Sequence, residues 1–440
     1  MSSRGCARRH RAAHPVAVNH HDLASSPRTF AASQQLLERA RTLIPGGYHL
    51  SGRPLVTPAD SPMYFERGAG CRVWDVDGHE YIDYVMAYGP LLLGYAHEAV
   101  DRAAFEQARR GNLLTLNHPL HLRFIERLVA RFPGAEMGAF FKTGSDATTA
   151  ALRLARRATR RRRVARCGYH GWHDWCLPLA DFVPAGLDRQ VLEFRPDEPE
   201  SLHELLRAHP GEVAAVILAP EMMPPSRPEL ARLFAELARE HGAVFILDEI
   251  KTGLRIRPGS FQQWAGLVPD LTTLSKALGN GWPVAAVIGR REVMRHGAEL
   301  HMSATYHGET TGLAAALATL DILDRSDVTD HVWRLGERLI AGLQAAADRL
   351  HIPAAAYGEP LPPMPFLRFT HPDARVRDAI AATFYTEMLQ RGILLHPRHL
   401  WFISAAHSDD DITRTIRAAE AAMAAVWDRH HAALDRPGST

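Results

Sequence analysis

Cysteine is scarce in this chain: four residues in 440 (Cys6, Cys71, Cys167 and Cys176), with no CxxC pair among them. That pattern argues against both a disulfide framework and a cysteine-based zinc site. Long apolar runs are missing too. None approaches the ~18 residues of a membrane-spanning helix, so no membrane partner is expected. A surplus of one charge is also lacking: 51 Lys and Arg stand against 49 Asp and Glu, a net of +2. Charge therefore gives no case for nucleic acid as a partner. The densest basic run, Arg160–Arg163, follows a helical stretch and reads as a solvated helix end. Residues 1–29 are basic, His-rich and without the apolar core of a signal peptide. They are expected to form a disordered tail on a cytoplasmic protein.

What remains is an ordinary globular composition, 46% hydrophobic and 23% charged, in a chain long enough for two packed subdomains. A helix is expected from Ala31 to Leu43, stopped by Pro45-Gly46-Gly47. Arg72–Asp75 and Tyr81–Val85 flank the turn Asp77-Gly78, a hairpin signal. From about His97 short apolar strands alternate with helices: Ala139–Phe141, Arg163–Ala165, Ala214–Leu218, Val244–Leu247, Leu271–Leu274 and Ala285–Ile288. Strands apolar throughout and separated by helices imply an α/β fold, with a mainly parallel sheet covered on both faces. The expected division is an N-terminal segment (30–96), a large domain (97–315), a smaller α+β domain (316–430) that packs with the N-terminal hairpin, and a tail (431–440).

Four places carry chemistry. Lys276 directly follows a buried strand and precedes Ala277-Leu278-Gly279-Asn280-Gly281. Desolvation there lowers the amine's pKa and makes it nucleophilic toward aldehydes. Most lysines are solvated surface groups, so the position matters more than the residue. Asp248 ends the apolar run Val244–Leu247, at the carboxyl end of a strand where α/β ligands bind. It is either a structural ion pair or helix cap, or the partner of a protonated heterocycle. The segment Phe140–Ala147 puts Gly144 and Ser145 between a strand and a helix from Thr148 to Arg157, an anion cradle at a helix N-terminus. The cluster Tyr169-His170-Gly171-Trp172-His173-Asp174 offers rings that stack on a flat heterocycle or fill a core. It lacks metal-ligand spacing and a serine nucleophile motif, so no metal is expected.

With these residues in view, the sequence resembles the class III aminotransferases of pyridoxal-5′-phosphate (PLP) fold type I, most of all the glutamate-1-semialdehyde 2,1-aminomutase branch. The resemblance covers about residues 31–428. It rests on Arg67-Gly68-Ala69-Gly70, Trp74–Gly78, Gly89-Pro90, Gly144-Ser145-Asp146-Ala147, Tyr169-His170-Gly171, Leu247-Asp248-Glu249 and Ser275–Gly279. It implies a seven-stranded, mainly parallel sheet and PLP as cofactor. Gly144 and Ser145 would hold the phosphate, Tyr169 would cover the ring, Asp248 would pair with the pyridine nitrogen and Lys276 would form the Schiff base. Thr305, in Ala304-Thr305-Tyr306-His307-Gly308, matches a threonine that reaches the phosphate of the neighbouring subunit, which implies an obligate homodimer.

The match departs from the mutase where substrate is read. Arg53 falls on the position of an arginine that meets the substrate carboxylate, but Leu50 replaces a serine. Tyr88 stands where the mutase has tryptophan. Arg398-His399-Leu400-Trp401 replaces a segment that holds a glutamate. The stretch from Tyr169 to Ala219 is shorter than the mutase's gating region, and the family's Glu-Pro becomes Ala219-Pro220, with Glu221 displaced by two positions. Substrate contacts are therefore expected from Arg53, Tyr88 and His399. The expected activity is ping-pong transfer between a carboxylate-bearing amino donor and a keto or aldehyde acceptor. The alternatives are an internal amino shift of the aminomutase type and a non-catalytic binding module.

Overall fold

The computed structural model describes residues 27–49, 55–57, 61–176, 186, 190–223, 227, 229–358 and 360–434. Arg53 and Leu50 lie outside the described residues, as does the expected tail up to residue 26.

Strands β1 (Phe65–Ala69), β2 (Arg72–Asp75) and β3 (Glu80–Asp83) form an antiparallel meander. The turn expected between β2 and β3 is present, with Gly78 at a φ of 89° that a side chain disfavours. Seven strands then build the main sheet: β4 (Met137–Phe141), β5 (Arg163–Cys167), β6 (Val191–Glu193), β7 (Val213–Leu218), β8 (Val244–Asp248), β9 (Leu271–Leu274) and β10 (Ala285–Gly289). Their order is β4-β10-β9-β8-β7-β5-β6, and β10 alone runs antiparallel to its neighbours. Three more strands follow: β11 (Ala354–Gly358), β12 (Pro365–Phe369) and β13 (Ile393–Leu394). β13 pairs in parallel with β3, so the chain's two ends share one small sheet, as the hairpin's expected packing requires.

The apolar strands read as they do because both faces are covered. Ala215, Ile217, Val244 and Ile246 pack with Ala147, Ala151 and Leu154 of the helix Gly144–Thr159. The alternate residues Val216, Leu218, Phe245 and Leu247 pack with Leu230, Phe234 and Leu237 of the helix Glu229–Glu240. This is the period of two of a strand, with neither face left to water. Asp248 is in register with Val244 and Ile246. It therefore points to the side where the helix Gly144–Thr159 begins.

Three expectations need correction. The first helix ends at Ala40 and continues only as turns to Leu43. The helix expected from Thr148 starts at Gly144, because Thr143 and Asp146 cap it reciprocally: Thr143 Oγ1 accepts from Asp146 N at 3.2 Å, and Asp146 Oδ2 from Thr143 N at 3.0 Å. The basic run is not simply a solvated helix end. Arg161 donates to the carbonyls of Val213 (3.1 Å) and His241 (2.7 Å), and Arg163 opens β5 while pairing with Glu212 at 2.6 Å.

Candidate active site

At the carboxyl ends of β8 and β9, a cavity of about 170 Å³ is lined by Gly144, Ser145, Tyr169, Asp248 and Lys276, the sequence-derived residues, and also by His170, Glu221 and Lys251. Lys276 sits two residues past β9. Its φ of 48° is unusual for a side-chain-bearing residue, a local strain of the kind found at functional positions. Ser275 helps fix this turn by donating from Oγ to Val284 O at 2.9 Å. Burial pushes the Lys276 amine down to about 8, and the nearby Lys251 charge adds to the shift.

Asp248 is 3% exposed. Its Oδ1 accepts from Thr273 Oγ1 at 2.8 Å and from Ile250 N at 3.2 Å, and its Oδ2 accepts from His170 Nδ1 at 2.8 Å. A carboxylate has about four lone-pair sites, so one remains on Oδ2. Thr273 can make its bond because β8 and β9 pair in parallel with Asp248 opposite Thr273.

The cradle for an anion is shaped by close approach. Gly171 has a φ of 116°, and a Cβ there would stand 2.3 Å from Ser145 Oγ. A Cβ on Gly144 would stand 2.7 Å from Ile250 Cδ1. With Asp146 N taken by the cap, the amides of Gly144 and Ser145 head the helix without intrahelical acceptors. Tyr169 lines the same cavity while 56% exposed, and Trp172 beside it is 68% exposed. The possibility that both rings are core is thereby corrected.

These features fit pyridoxal phosphate. An anion cradle, an acid with an open lone pair, a ring wall and an amine of lowered pKa face one space. Gly144 and Ser145 would hold its phosphate, Asp248 its ring nitrogen and Lys276 its carbonyl carbon.

Tyr88 and His399 pack edge to face, with ring centroids 5.3 Å apart, and His396 stands 5.7 Å from each. Tyr88 ends a run of three side-chain-bearing residues with positive φ: Met86 (45°), Ala87 (52°) and Tyr88 itself (67°). Buried Asp83 anchors the start of that run by accepting from Val85 N at 2.7 Å and Met86 N at 3.1 Å. Thr305 lies on an exposed turn and does not line this cavity. Among the described residues no group of His, Cys, Asp or Glu is arranged to hold a metal ion.

Sequence reasoning missed two partnerships. The sequence places His170 only in a ring cluster and a family motif, whereas it is one of three donors that orient Asp248. Lys251 and Glu221 form an ion pair of 2.5 Å in the cavity wall. The displaced Glu221 was the one signal that pointed there.

The family model "Aminotransferase class-III" matches residues 56–355. The chain is 34% identical over 406 residues to the 3-aminobutyryl-CoA aminotransferase of Cloacimonas acidaminovorans (strain Evry), covering 90% of this chain and 97% of that one. It is 37% identical over 425 residues to the glutamate-1-semialdehyde 2,1-aminomutase of Sorangium cellulosum (strain So ce56), covering 90% and 96%. The solved PLP internal aldimine form of the Sphingopyxis sp. MTA144 FumI protein superimposes with a TM-score of 0.85 at 30% identity, covering 91% of this chain and 98% of that one. The chain thus belongs to the class III aminotransferase family and is a pyridoxal-phosphate enzyme, an aminotransferase or a related aminomutase.

Proposed function

We propose that the enzyme exchanges an amino group between two substrates in a ping-pong sequence, from a carboxylate-bearing donor to a keto or aldehyde acceptor. The observation that carries this reading is the Lys276 amine, pushed down to about 8 in a cavity it shares with Asp248. Pyridoxal phosphate, when bound, supplies an electrophilic carbonyl and an electron-withdrawing ring. Asp248 holds the ring proton at its open lone pair and is itself held by His170 and Thr273. Lys276 Nζ, neutral for a large share of molecules near pH 8, takes and returns the proton at the substrate carbon. The Gly144 and Ser145 amides grip the phosphate at the positive end of a helix. Tyr169 covers the ring face, and Thr305 completes the phosphate site of the partner subunit in an obligate homodimer. Tyr88 and His399 contact the substrate body, and Arg53 takes the donor carboxylate. The protein would work in the cytoplasm.

Transfer between substrates is favoured over an internal shift by the sequence departures. The stretch from Tyr169 to Ala219 is short, Leu50 replaces a serine, and Glu221 is displaced. An aminotransferase must release its keto product, and a shortened gate suits release. The Sorangium cellulosum relative favours the aminomutase as a second reading. Two-substrate kinetics separate them. Parallel double-reciprocal lines, with conversion of the holoenzyme spectrum by amine alone and its return on adding a keto acid, are expected. Isomerisation of glutamate-1-semialdehyde without any second substrate would establish the mutase instead.

A further inference from the structure

Glu221 is carried into the cavity wall by the short 3-10 turn Pro220–Met222 that follows β7. Its side chain is 5% exposed, and its Oε1 accepts from Lys251 Nζ at 2.5 Å. Its Oε2 is buried and has no hydrogen-bond partner among the described residues. Buried polar atoms are nearly always paired, so an orphan carboxylate oxygen in a cavity wall is missing a donor. The cofactor is a poor source of one. Its phosphate and carbonyl accept, its phenol lies next to that carbonyl and shares its proton there, and its ring N–H has Asp248.

A second acceptor stands nearby. His399 Nδ1 lies 2.8 Å from the carbonyl oxygen of Leu400, which only accepts, so Nδ1 carries the proton and Nε2 presents a lone pair. Burial holds His399 down to about 4, so the ring is neutral in the working range, and the charges of Lys251, Lys276 and Glu221 all act on it. Glu221 Oε2 and His399 Nε2 thus each offer a lone pair and no proton. A second ammonium would be a poor filler, because Lys251 already neutralises Glu221 and a further cation would be buried uncompensated. A hydroxyl donates without adding charge.

We propose that Glu221 Oε2 is a specificity-determining acceptor for a hydroxyl group on one of the two substrates, so that the enzyme handles a hydroxylated amine or its carbonyl counterpart. His399 Nε2 serves as a second acceptor on the same substrate. This rests on the aminotransferase reading above and adds the substrate class to it.

The test uses holoenzyme and three matched series: straight-chain amino alcohols, alkylamines of equal length, and the corresponding diamines. Spectral conversion gives kcat/KM for the first half-reaction, and calorimetry gives Kd for the same compounds. Wild type is expected to favour the best amino alcohol over its alkylamine by about tenfold, roughly the worth of one hydrogen bond to a charged group. The doubly substituted Glu221→Met, Lys251→Met removes the ion pair as a neutral unit and is expected to bring that ratio close to one, mainly through KM. His399→Phe is expected to lower it partway. No preference for any amino alcohol in wild type, or a preference that survives in the double variant, would overturn the proposal. The oxygen would then hold water or serve only to place Lys251. A preference for diamines, lost in the double variant, would overturn the hydroxyl in favour of an ammonium. If neither these amines nor any amino acid alters the spectrum, the aminotransferase reading fails separately, and the calorimetric ratio still decides the role of Glu221.

Discussion

His170 Nδ1 donates to Asp248 Oδ2 across 2.8 Å, with His170 1% and Asp248 3% exposed. The bond crosses from the loop after β5 to the end of β8. Together with the Thr273 hydroxyl on the other oxygen, it fixes the plane of the carboxylate. The acid faces the cavity without freedom to turn, which is the preorganisation that a developing charge requires.

Replacing Asp248 with Asn keeps the shape and removes the charge. The variant is expected to fold and to bind PLP, because the cradle at Gly144 and Ser145 is untouched. Its kcat should fall by roughly 10²–10³-fold, as when one preorganised electrostatic partner is lost. Steady-state kinetics beside a thermal melt provide the check. Rates near wild type would remove Asp248 from the ring nitrogen.

The Lys276 amine titrates at about 8 because burial and then Lys251 disfavour its charged form. The neutral amine is the species that captures an aldehyde. Capture of PLP by the apoenzyme should therefore accelerate as pH rises through about 8. Lys251→Met takes away the positive neighbour that disfavours the charged form of Lys276, so the midpoint must move upward. Stopped-flow absorbance across pH measures it, and an unchanged or lower midpoint would show that Lys251 does not act on Lys276.

Gly171→Ala tests the cradle. A Cβ at that φ of 116° is strained, and it would stand 2.3 Å from Ser145 Oγ. The seryl hydroxyl must move, and with it the group proposed to meet the phosphate. PLP affinity is expected to fall by roughly tenfold or more, equivalent to a lost hydrogen bond to a charged group. The melting temperature of the apoprotein should shift far less. Equilibrium dialysis of the cofactor gives the answer, and unchanged affinity would place the phosphate elsewhere.

Much of this was legible in the sequence because it depends on local pattern. Val244–Asp248 reads as a buried strand ending in an acid, and Leu271–Lys276 as a buried strand followed by an amine. Both strands fell within a residue of where they were expected. β6 was not legible: three residues, Val191–Glu193, are too few to display a period. Nor was the reversal of β10, since an apolar strand covered on both faces looks the same in either direction. The Glu221–Lys251 and His170–Asp248 pairs join residues 30 and 78 positions apart. Only tertiary packing brings such groups together, and neither residue type announces a partner at that distance.

Thr305 offers the sharpest test of assembly. It sits on an exposed turn away from its own chain's cavity, and the family pattern sends it to the phosphate of a partner. Thr305→Ala should weaken PLP binding by roughly tenfold, the loss of one hydrogen bond to an anion. Co-expression of Lys276→Ala chains with Thr305→Ala chains, each with its own affinity tag, isolates the mixed dimer. If Thr305 serves the partner's site, one site of that dimer receives both lesions. The other combines an intact Lys276 with an intact Thr305 and is wild type. If Thr305 serves its own chain, each site carries one lesion and no wild-type site remains. Titration with PLP should therefore find one tight site per mixed dimer, and its turnover should approach half that of the wild-type dimer. Two weakened sites, or failure of the differently tagged chains to co-purify, would reject the shared site.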